Sequence, residues 1–258
     1  MEYGISNLSL IPVRAEASDK SEMVTQLLFG EHFEVVGKSK QWRKIRIAHD
    51  DYIGWIDEKQ FVPLSEEAFS KLEKQPVTST LDLIQIIINK DTMMPLVIGS
   101  NLPFFDGTSC EIGNEKFTYE GHVRQANIAE ANKNSIVENA FTYLNSPYLW
   151  GGRSPFGIDC SGLTQMAYKL NGVKLKRDAS QQAEQGYTLN FLEETEPGDL
   201  VFFDNPEGKI THVGIVIHQG QIIHASGRVR IDKLDHHGIY NQETKKYSHK
   251  LRLIKRIL

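Results

Sequence analysis

The texture of the chain changes once, at about residue 127, and that break limits the possible folds more than any other feature. Before it the sequence is a succession of short β-type runs with turn residues between them. These are Leu8-Ser9-Leu10-Ile11-Pro12-Val13, His32-Phe33-Glu34-Val35-Val36-Gly37, Trp42-Arg43-Lys44-Ile45-Arg46-Ile47 and Tyr52-Ile53-Gly54-Trp55-Ile56. Residues 3–63 therefore read as a small all-β barrel. The polar stretch from Ser65 to Lys74 suits a helical linker. A second β-rich region spans 77–123, where Leu83-Ile84-Gln85-Ile86-Ile87-Ile88 precedes the turn-rich Gly99-Ser100-Asn101 and Asp106-Gly107-Thr108. After the break, Ile136, Val137, Ala140, Phe141 and Leu144 share one helical face, which Asn145-Ser146-Pro147 ends. A second helix follows Asp159-Cys160-Ser161-Gly162, with Leu163, Met166, Ala167 and Leu170 as its apolar stripe and Asn171-Gly172 as its stop. Strands over 199–203, 212–217 and 221–225 come next. Helices first and an antiparallel sheet afterwards make an α+β arrangement. The expected domains are 1–63, 64–126 with the linker, and 127–258.

Charge excludes some partners. With 29 basic and 33 acidic residues the net charge is only -4, too small to steer nucleic acid or an anionic membrane surface. No stretch is apolar enough to span a bilayer, and Met1-Glu2-Tyr3-Gly4-Ile5-Ser6 has neither a basic nor an apolar signal region. The expected location is the cytoplasm, or the periplasm or exterior if a signal has been removed. Oligomeric state leaves no mark on the sequence. Two cysteines, Cys110 and Cys160, permit a disulfide, but a chain of 258 residues needs no such staple.

Cys160 stands at a helix start. The partial positive charge and unpaired N–H groups there are expected to depress a thiol pKa, as a sulfur nucleophile requires. A free cysteine is also commonly a small buried hydrophobe, the role expected of Cys110, and position alone leaves both roles open for Cys160. The histidines add weight. His212 opens one apolar strand and His224 lies near the end of the next, with His218-Gln219-Gly220 between them. A three-residue loop with Gly220 left-handed would pair Ile217 with Gln221 and set His224 opposite Gly214, diagonal to His212 on the same face. Diagonal neighbours stand about 7–8 Å apart at the backbone, within reach of two imidazoles. A loop shorter by one residue would put them on opposite faces. On the functional reading, His212 takes the thiol proton and later protonates the leaving amine. His224 holds its second ring nitrogen and fixes its tautomer.

Five blocks then carry a resemblance. Pro147-Tyr148-Leu149-Trp150-Gly151-Gly152, Gly157-Ile158-Asp159-Cys160-Ser161-Gly162-Leu163, Pro197-Gly198-Asp199-Leu200-Val201-Phe202-Phe203, His212-Val213-Gly214-Ile215 and Ile223-His224-Ala225 resemble, in order, the NlpC family of papain-like cysteine peptidases. The resemblance implies Cys160, His212 and His224 as the catalytic cysteine, histidine and third polar residue. It implies an oxyanion held by the backbone N–H of Cys160, and Tyr148, Asp159, Ser161 and Ser180 along the substrate groove. Asp159 equally suits a helix cap.

Residues 3–63, with Trp42 and Gly54-Trp55-Ile56, are similar to bacterial SH3 domains, and 77–123 is read as a second SH3-like domain. NlpC peptidases with two such domains ahead of them are similar to γ-D-glutamyl-L-diamino acid endopeptidases, the dipeptidyl-peptidase VI group, which act on murein stem peptides with a free N-terminal L-Ala. That likeness implies recognition of the amine by Tyr52 and an acidic residue, Glu16 or alternatively Glu22. A carboxylate is what a buried ammonium needs. Other wall-peptide amidase or acyl-transfer chemistry on the same fold, and a wall-peptide-binding role, are the alternatives. No metal or other cofactor is expected: His-Glu-x-x-His, paired CxxC and phosphate-loop patterns are missing, and His236-His237, which would point to opposite sides of a strand, reads as a solvated surface pair.

Overall fold

Alternation of apolar and polar residues along short strands builds the first half of the chain. The computed structural model describes residues 2–258, and the chain divides into two compact units, Met1–Asn127 and Ile128–Leu258. In the first unit seven strands form one antiparallel sheet. Their order is Met23–Leu28, Leu10–Arg14, Ile53–Asp57, Trp42–Ile47, His32–Ser39, Glu2–Ile5 and Val62–Leu64. Ile11, Val13, Leu27, Phe33, Ile45, Ile47 and Ile56 meet on its inner side, with Tyr52 packed against them. The glycine of Gly54-Trp55 is required by close approach: a Cβ there would stand 2.4 Å from Val13 Cγ1 and 3.0 Å from the Arg14 carbonyl oxygen.

The polar segment after this sheet is helical over Glu66–Lys74, started by Ser65, whose hydroxyl accepts from the Ala68 N–H at 3.1 Å. Beyond it, Met93–Val97, Ile84–Ile88, Glu115–Tyr119 and Ser109–Ile112 form a four-stranded antiparallel sheet. Its buried face is continuous with the first sheet: Ile87, Leu96, Cys110, Phe117 and Tyr119 pack in one cluster with Tyr3, Ile5, Phe29 and Leu64. The boundary drawn at 63/64 thus separates two sheets that share a core. Cys110 lies inside that core and both cysteines are free thiols.

The second unit opens with the helix Lys133–Phe141, capped by Asn132, and the helix Cys160–Lys169, capped by Asp159. The sheet that follows runs, in spatial order, Tyr187–Leu189, Lys246–Arg256, Leu200–Asp204, Ile210–His218, Gln221–Ser226, Arg228–Asp235 and Gly238–Asn241. Gly238–Asn241 also pairs with Lys246–Arg256, so the sheet closes on itself through six strands. Val201, Phe203, Val216, Ile222, Leu234, Ile239 and Ile254 fill its interior. This is the α+β arrangement expected, with three further strands after residue 227. His236 and His237 are an exposed surface pair, as expected, but they lie in the turn between Arg228–Asp235 and Gly238–Asn241, where their ring centroids are 4.0 Å apart instead of pointing to opposite sides of a strand.

Candidate active site

The Cys160 helix starts where it does because Asp159 satisfies several donors at once. Its carboxylate accepts from the backbone N–H groups of Gly162 at 2.6 Å and Gly151 at 2.8 Å. It also takes both arms of Arg177, at 3.0 and 2.6 Å. Arg177 donates in addition to Ser161 Oγ at 2.9 Å, and all three side chains are buried. Gly162 lets the helix press against the preceding loop, since a Cβ there would stand 2.4 Å from the Gly152 carbonyl oxygen. Asp159 is therefore committed to holding the helix start. Ser161 joins the same cluster, with its carbonyl receiving Gln182 Nε2 at 3.0 Å. Arg177, three residues before Ser180, is the partner that sequence reasoning passed over. Ser180 is exposed on the short helix Ala179–Gln182 and makes no side-chain hydrogen bond among the described residues.

The environment of Cys160 corrects the expected low thiol pKa. Burial pushes it up to about 12, and the Asp159 charge pushes the same way. Hydrogen bonds from the backbone N–H groups of Val213 and Ser161, with the Arg177 charge between them in size, act in the opposite sense. Desolvation outweighs the helix terminus because the sulfur has almost no contact with water. His212, one residue before Val213, is driven well below its ordinary value by burial and by the charges of His249 and His224. The resting pair is thus a thiol and a neutral imidazole. Tyr148 lies close by: its phenol is raised to about 12 by burial first and then by Cys160.

The strand pair delivers the two histidines to one place by an unexpected route. The turn has two residues, Gln219 and Gly220, because His218 pairs with Gln221, and Gly220 is left-handed at φ +78°. Such a turn alone would have reversed the face of His224. The register shifts between Val216 and His218, a bulge that absorbs Ile217, and so Gly214 still lies opposite His224. His212 Nε2 and His224 Nδ1 are 2.9 Å apart, with the rings nearly perpendicular.

Three more side chains complete the cluster, and nothing local in the sequence marks them. His224 Nε2 lies 3.1 Å from Asp232 Oδ2, and Arg230 donates to both oxygens of Asp232, at 2.7 and 3.1 Å. His249, from the strand that closes the sheet, stacks on His212 at 4.0 Å with an 18° interplanar angle. One nitrogen from each of His212, His224 and His249 lies within 4.8 Å of the others. Imidazole lone pairs lie in the ring plane, so a cation in the plane of His212 would stand out of the plane of the stacked His249. The rings do not converge on a common point.

In the first unit Tyr52 is half-buried against the sheet core, while Glu16 and Glu22 are exposed.

Residues 145–249 match the NlpC/P60 family, and residues 13–61 match the bacterial dipeptidyl-peptidase SH3 domain. The second unit carries an NlpC/P60 domain, and the chain is a cysteine peptidase. Among relatives of this peptidase, dipeptidyl-peptidase 6 of Lysinibacillus sphaericus is 28% identical over 265 residues, covering 89% of this chain and 91% of that protein. The gamma-D-glutamyl-L-lysine dipeptidyl-peptidase of Bacillus subtilis is 29% identical over 226 residues, covering 78% and 71%. An NlpC/P60 family protein of Bacillus cereus, solved by crystallography, superposes with a TM-score of 0.81 over 99% of each chain at 21% identity, a likeness of fold. The papain-like α+β unit and the SH3-like N-terminal β domain of this peptidase agree with those matches.

Proposed function

We infer that this NlpC/P60 peptidase hydrolyses the bond between γ-D-glutamate and the diamino acid of murein stem peptides that carry a free N-terminal L-Ala. The observation that carries the catalytic half of this reading is the His212–His224 hydrogen bond at 2.9 Å, together with the bond that the Val213 N–H, next in sequence to His212, makes to the buried Cys160 at its helix start. Support for the substrate half comes from the relatives, which bear the names dipeptidyl-peptidase 6 and gamma-D-glutamyl-L-lysine dipeptidyl-peptidase.

In the proposed reaction His212 accepts the proton of Cys160 as the sulfur attacks the γ-glutamyl carbonyl, so charge separation appears only as the new bond forms. A thiol held up near 12 beside a depressed imidazole makes that coupling necessary, because neither group ionises alone at neutral pH. The backbone N–H of Cys160 donates to the developing oxyanion, a contribution of about 2.7–4 kcal/mol for one such donor. Protonated His212 then gives its proton to the leaving amine, and water, deprotonated by the same imidazole, releases the acyl group from the thioester. His224 is the third residue, holding His212 in orientation. Tyr148 and Ser161 line the acyl side in this reading. Ser180 is assigned there too, and Tyr52 with Glu16, or Glu22 in its place, is assigned to selection of the free amine. An enzyme with that requirement would act on released peptides and spare intact wall, in which the amine is joined to the glycan, as murein peptide recycling requires.

The test is mass spectrometry of products from L-Ala-γ-D-Glu-L-Lys, its diaminopimelate counterpart and the N-acetylated form of each, with Cys160→Ala as the blank. Release of L-Ala-D-Glu from the free-amine peptides alone, and none by the blank, is expected. Equal cleavage of acetylated peptides would overturn the amine requirement, and cleavage by Cys160→Ala would overturn the nucleophile.

A further inference from the structure

A buried hydrogen-bond chain crosses three adjacent strands, His212 on Ile210–His218, His224 on Gln221–Ser226, and Asp232 with Arg230 on Arg228–Asp235. Its end is anchored outside the histidine pair. Arg230 gives Nε and Nη2 to the two oxygens of Asp232 and its Nη1 to Glu243 at 2.9 Å, while the Gln242 N–H approaches Asp232 Oδ1 at 3.4 Å. Burial would raise the Asp232 carboxyl, but hydrogen bonds from His224 and Arg230 outweigh it and hold the group below its ordinary value. Asp232 is thus an ionised carboxylate.

An ionised carboxylate only accepts, and that fact propagates along the chain. At 3.1 Å from Asp232, His224 Nε2 must carry the hydrogen. Burial keeps His224 neutral, lowering its pKa against the pull of Asp232. A neutral imidazole protonated at Nε2 has a bare Nδ1, which can only accept. His212 Nε2 faces it at 2.9 Å and so must be the donor. The remaining nitrogen of His212, Nδ1, is then left without a hydrogen and free to take one.

We propose that Asp232, anchored by Arg230, is a positioning residue that fixes the tautomers of His224 and His212 in series and leaves His212 Nδ1 as the base. Its direction is fixed from the carboxylate end. A third residue that merely orients the ring could be donor or acceptor, whereas a histidine backed by a carboxylate can hold the neutral His212 in one tautomer only. Protonation of the His212–His224 pair reverses it. An imidazolium at His224 donates through Nδ1, forces His212 to accept at Nε2, and puts the hydrogen on the His212 nitrogen that must be bare. The charged and titratable groups acting on the pair are Asp232, Arg230 and His249. This role rests on His212 being the base of the proposed reaction.

The experiment compares Asp232→Asn and Arg230→Gln with the parent in the full chain. In ¹⁵N-histidine spectra, both His212 and His224 of the parent should show the Nε2–H tautomer at neutral pH, and Asp232→Asn should lose that pattern. In peptide hydrolysis, Asp232→Asn should lower kcat by roughly 10- to 100-fold, taking the range for the carboxylate behind a metal-ligating histidine as the guide, with KM little changed. The acid limb of the kcat profile gives opposite signs. Loss of the carboxylate moves it to lower pH, and loss of the Arg230 charge moves it to higher pH. Unchanged tautomers in Asp232→Asn, or limbs that move the same way, would overturn the proposal. Because the spectra need no turnover, they separate failure of this role from failure of the proposed reaction. Should Asp232→Asn not fold, Arg230→Gln, at the partly exposed end of the chain, still decides by the sign of its shift.

Discussion

Gly214 is the residue on which the histidine pair depends without touching chemistry, and Gly214→Ala measures how much. A Cβ at this position would stand 2.7 Å from Ile222 Cδ1, 2.8 Å from Ile222 Cγ1 and 3.0 Å from His224 Cβ. Carbon pairs settle at about 3.5–4.0 Å, so Ile222 must retreat by about 1 Å and His224 by roughly 0.5–1 Å. Ile222 has no room, because it is fully buried in the sheet interior with Val201, Phe203 and Val216. The displacement therefore falls largely on His224. A shift of that size carries the 2.9 Å contact with His212 to roughly 3.4–3.9 Å, beyond hydrogen-bonding range. Misplacement on the order of 1 Å in a catalytic constellation costs about 100-fold. The overpacking itself costs about 1–3 kcal/mol, partly offset by about 0.5–1 kcal/mol for replacing glycine in an extended strand. Steady-state kinetics with the free-amine tripeptide should show the loss in kcat with KM nearly unchanged. Thermal unfolding should show a decrease of a few degrees, at about 2–4 °C per kcal/mol for a chain of this size. A variant with parental kcat and parental melting temperature would refute the claim that space opposite His224 is what sets the pair.

Other parts of the molecule give independent tests. Arg177→Met leaves the buried Asp159 carboxylate without its cation and should destabilise the second unit by about 3–5 kcal/mol in urea unfolding. A negligible loss would mean that the Gly151 and Gly162 N–H groups satisfy Asp159 alone. His249, brought down to about 4 by burial and the charge of His224, stays neutral in the fold while the unfolded chain takes up a proton below about 6.5. Its folded pKa is the lower one, so stability is lost as pH falls through that window, with His212 and His224 contributing in the same sense. Melting temperature should fall from pH 6.5 toward 4 and fall less steeply in His249→Phe, and parallel curves would refute the assignment. Gly54→Ala should cost the first unit about 1–3 kcal/mol by forcing Val13 from its place, read as faster amide exchange along Leu10–Arg14 and Ile53–Asp57.

Much of the fold follows from local pattern. The Asp159 cap and the helix after it are visible as periodicity, and the apolar runs at 199–203, 212–217 and 221–225 mark the strands Leu200–Asp204, Ile210–His218 and Gln221–Ser226. The shared core of the two N-terminal sheets was not, because alternation shows that a strand has a buried face and leaves open what covers it. The thiol of Cys160 was misjudged for a related reason. A helix start is legible in sequence, but burial under neighbouring elements is a property of the assembled unit, and here it is the larger effect.

The histidine cluster shows where local pattern stops. The spacing of His212 and His224 is right for a shared face only through two departures that cancel, a turn shorter by one residue and a bulge at Ile217 that restores the register. Asp232 is harder still. In Arg228-Val229-Arg230-Ile231-Asp232-Lys233 the charges alternate as on a solvated strand, yet Asp232 is buried, because the register sets His224 opposite Arg230 and Ile222 opposite Asp232. His249 reaches His212 only because Gly238–Asn241 pairs with Lys246–Arg256 and closes the sheet. Each of these placements is a statement about which strands lie side by side and in what register, and a one-residue slip would turn any of the side chains to the other face. The proposed nucleophile and base, Cys160 and His212, carry their own sequence signals, since a helix start and a strand start are local events. The carboxylate that sets their proton arrangement is delivered by pairing alone, so the direction of proton transfer is encoded in the register of three strands and not in any motif.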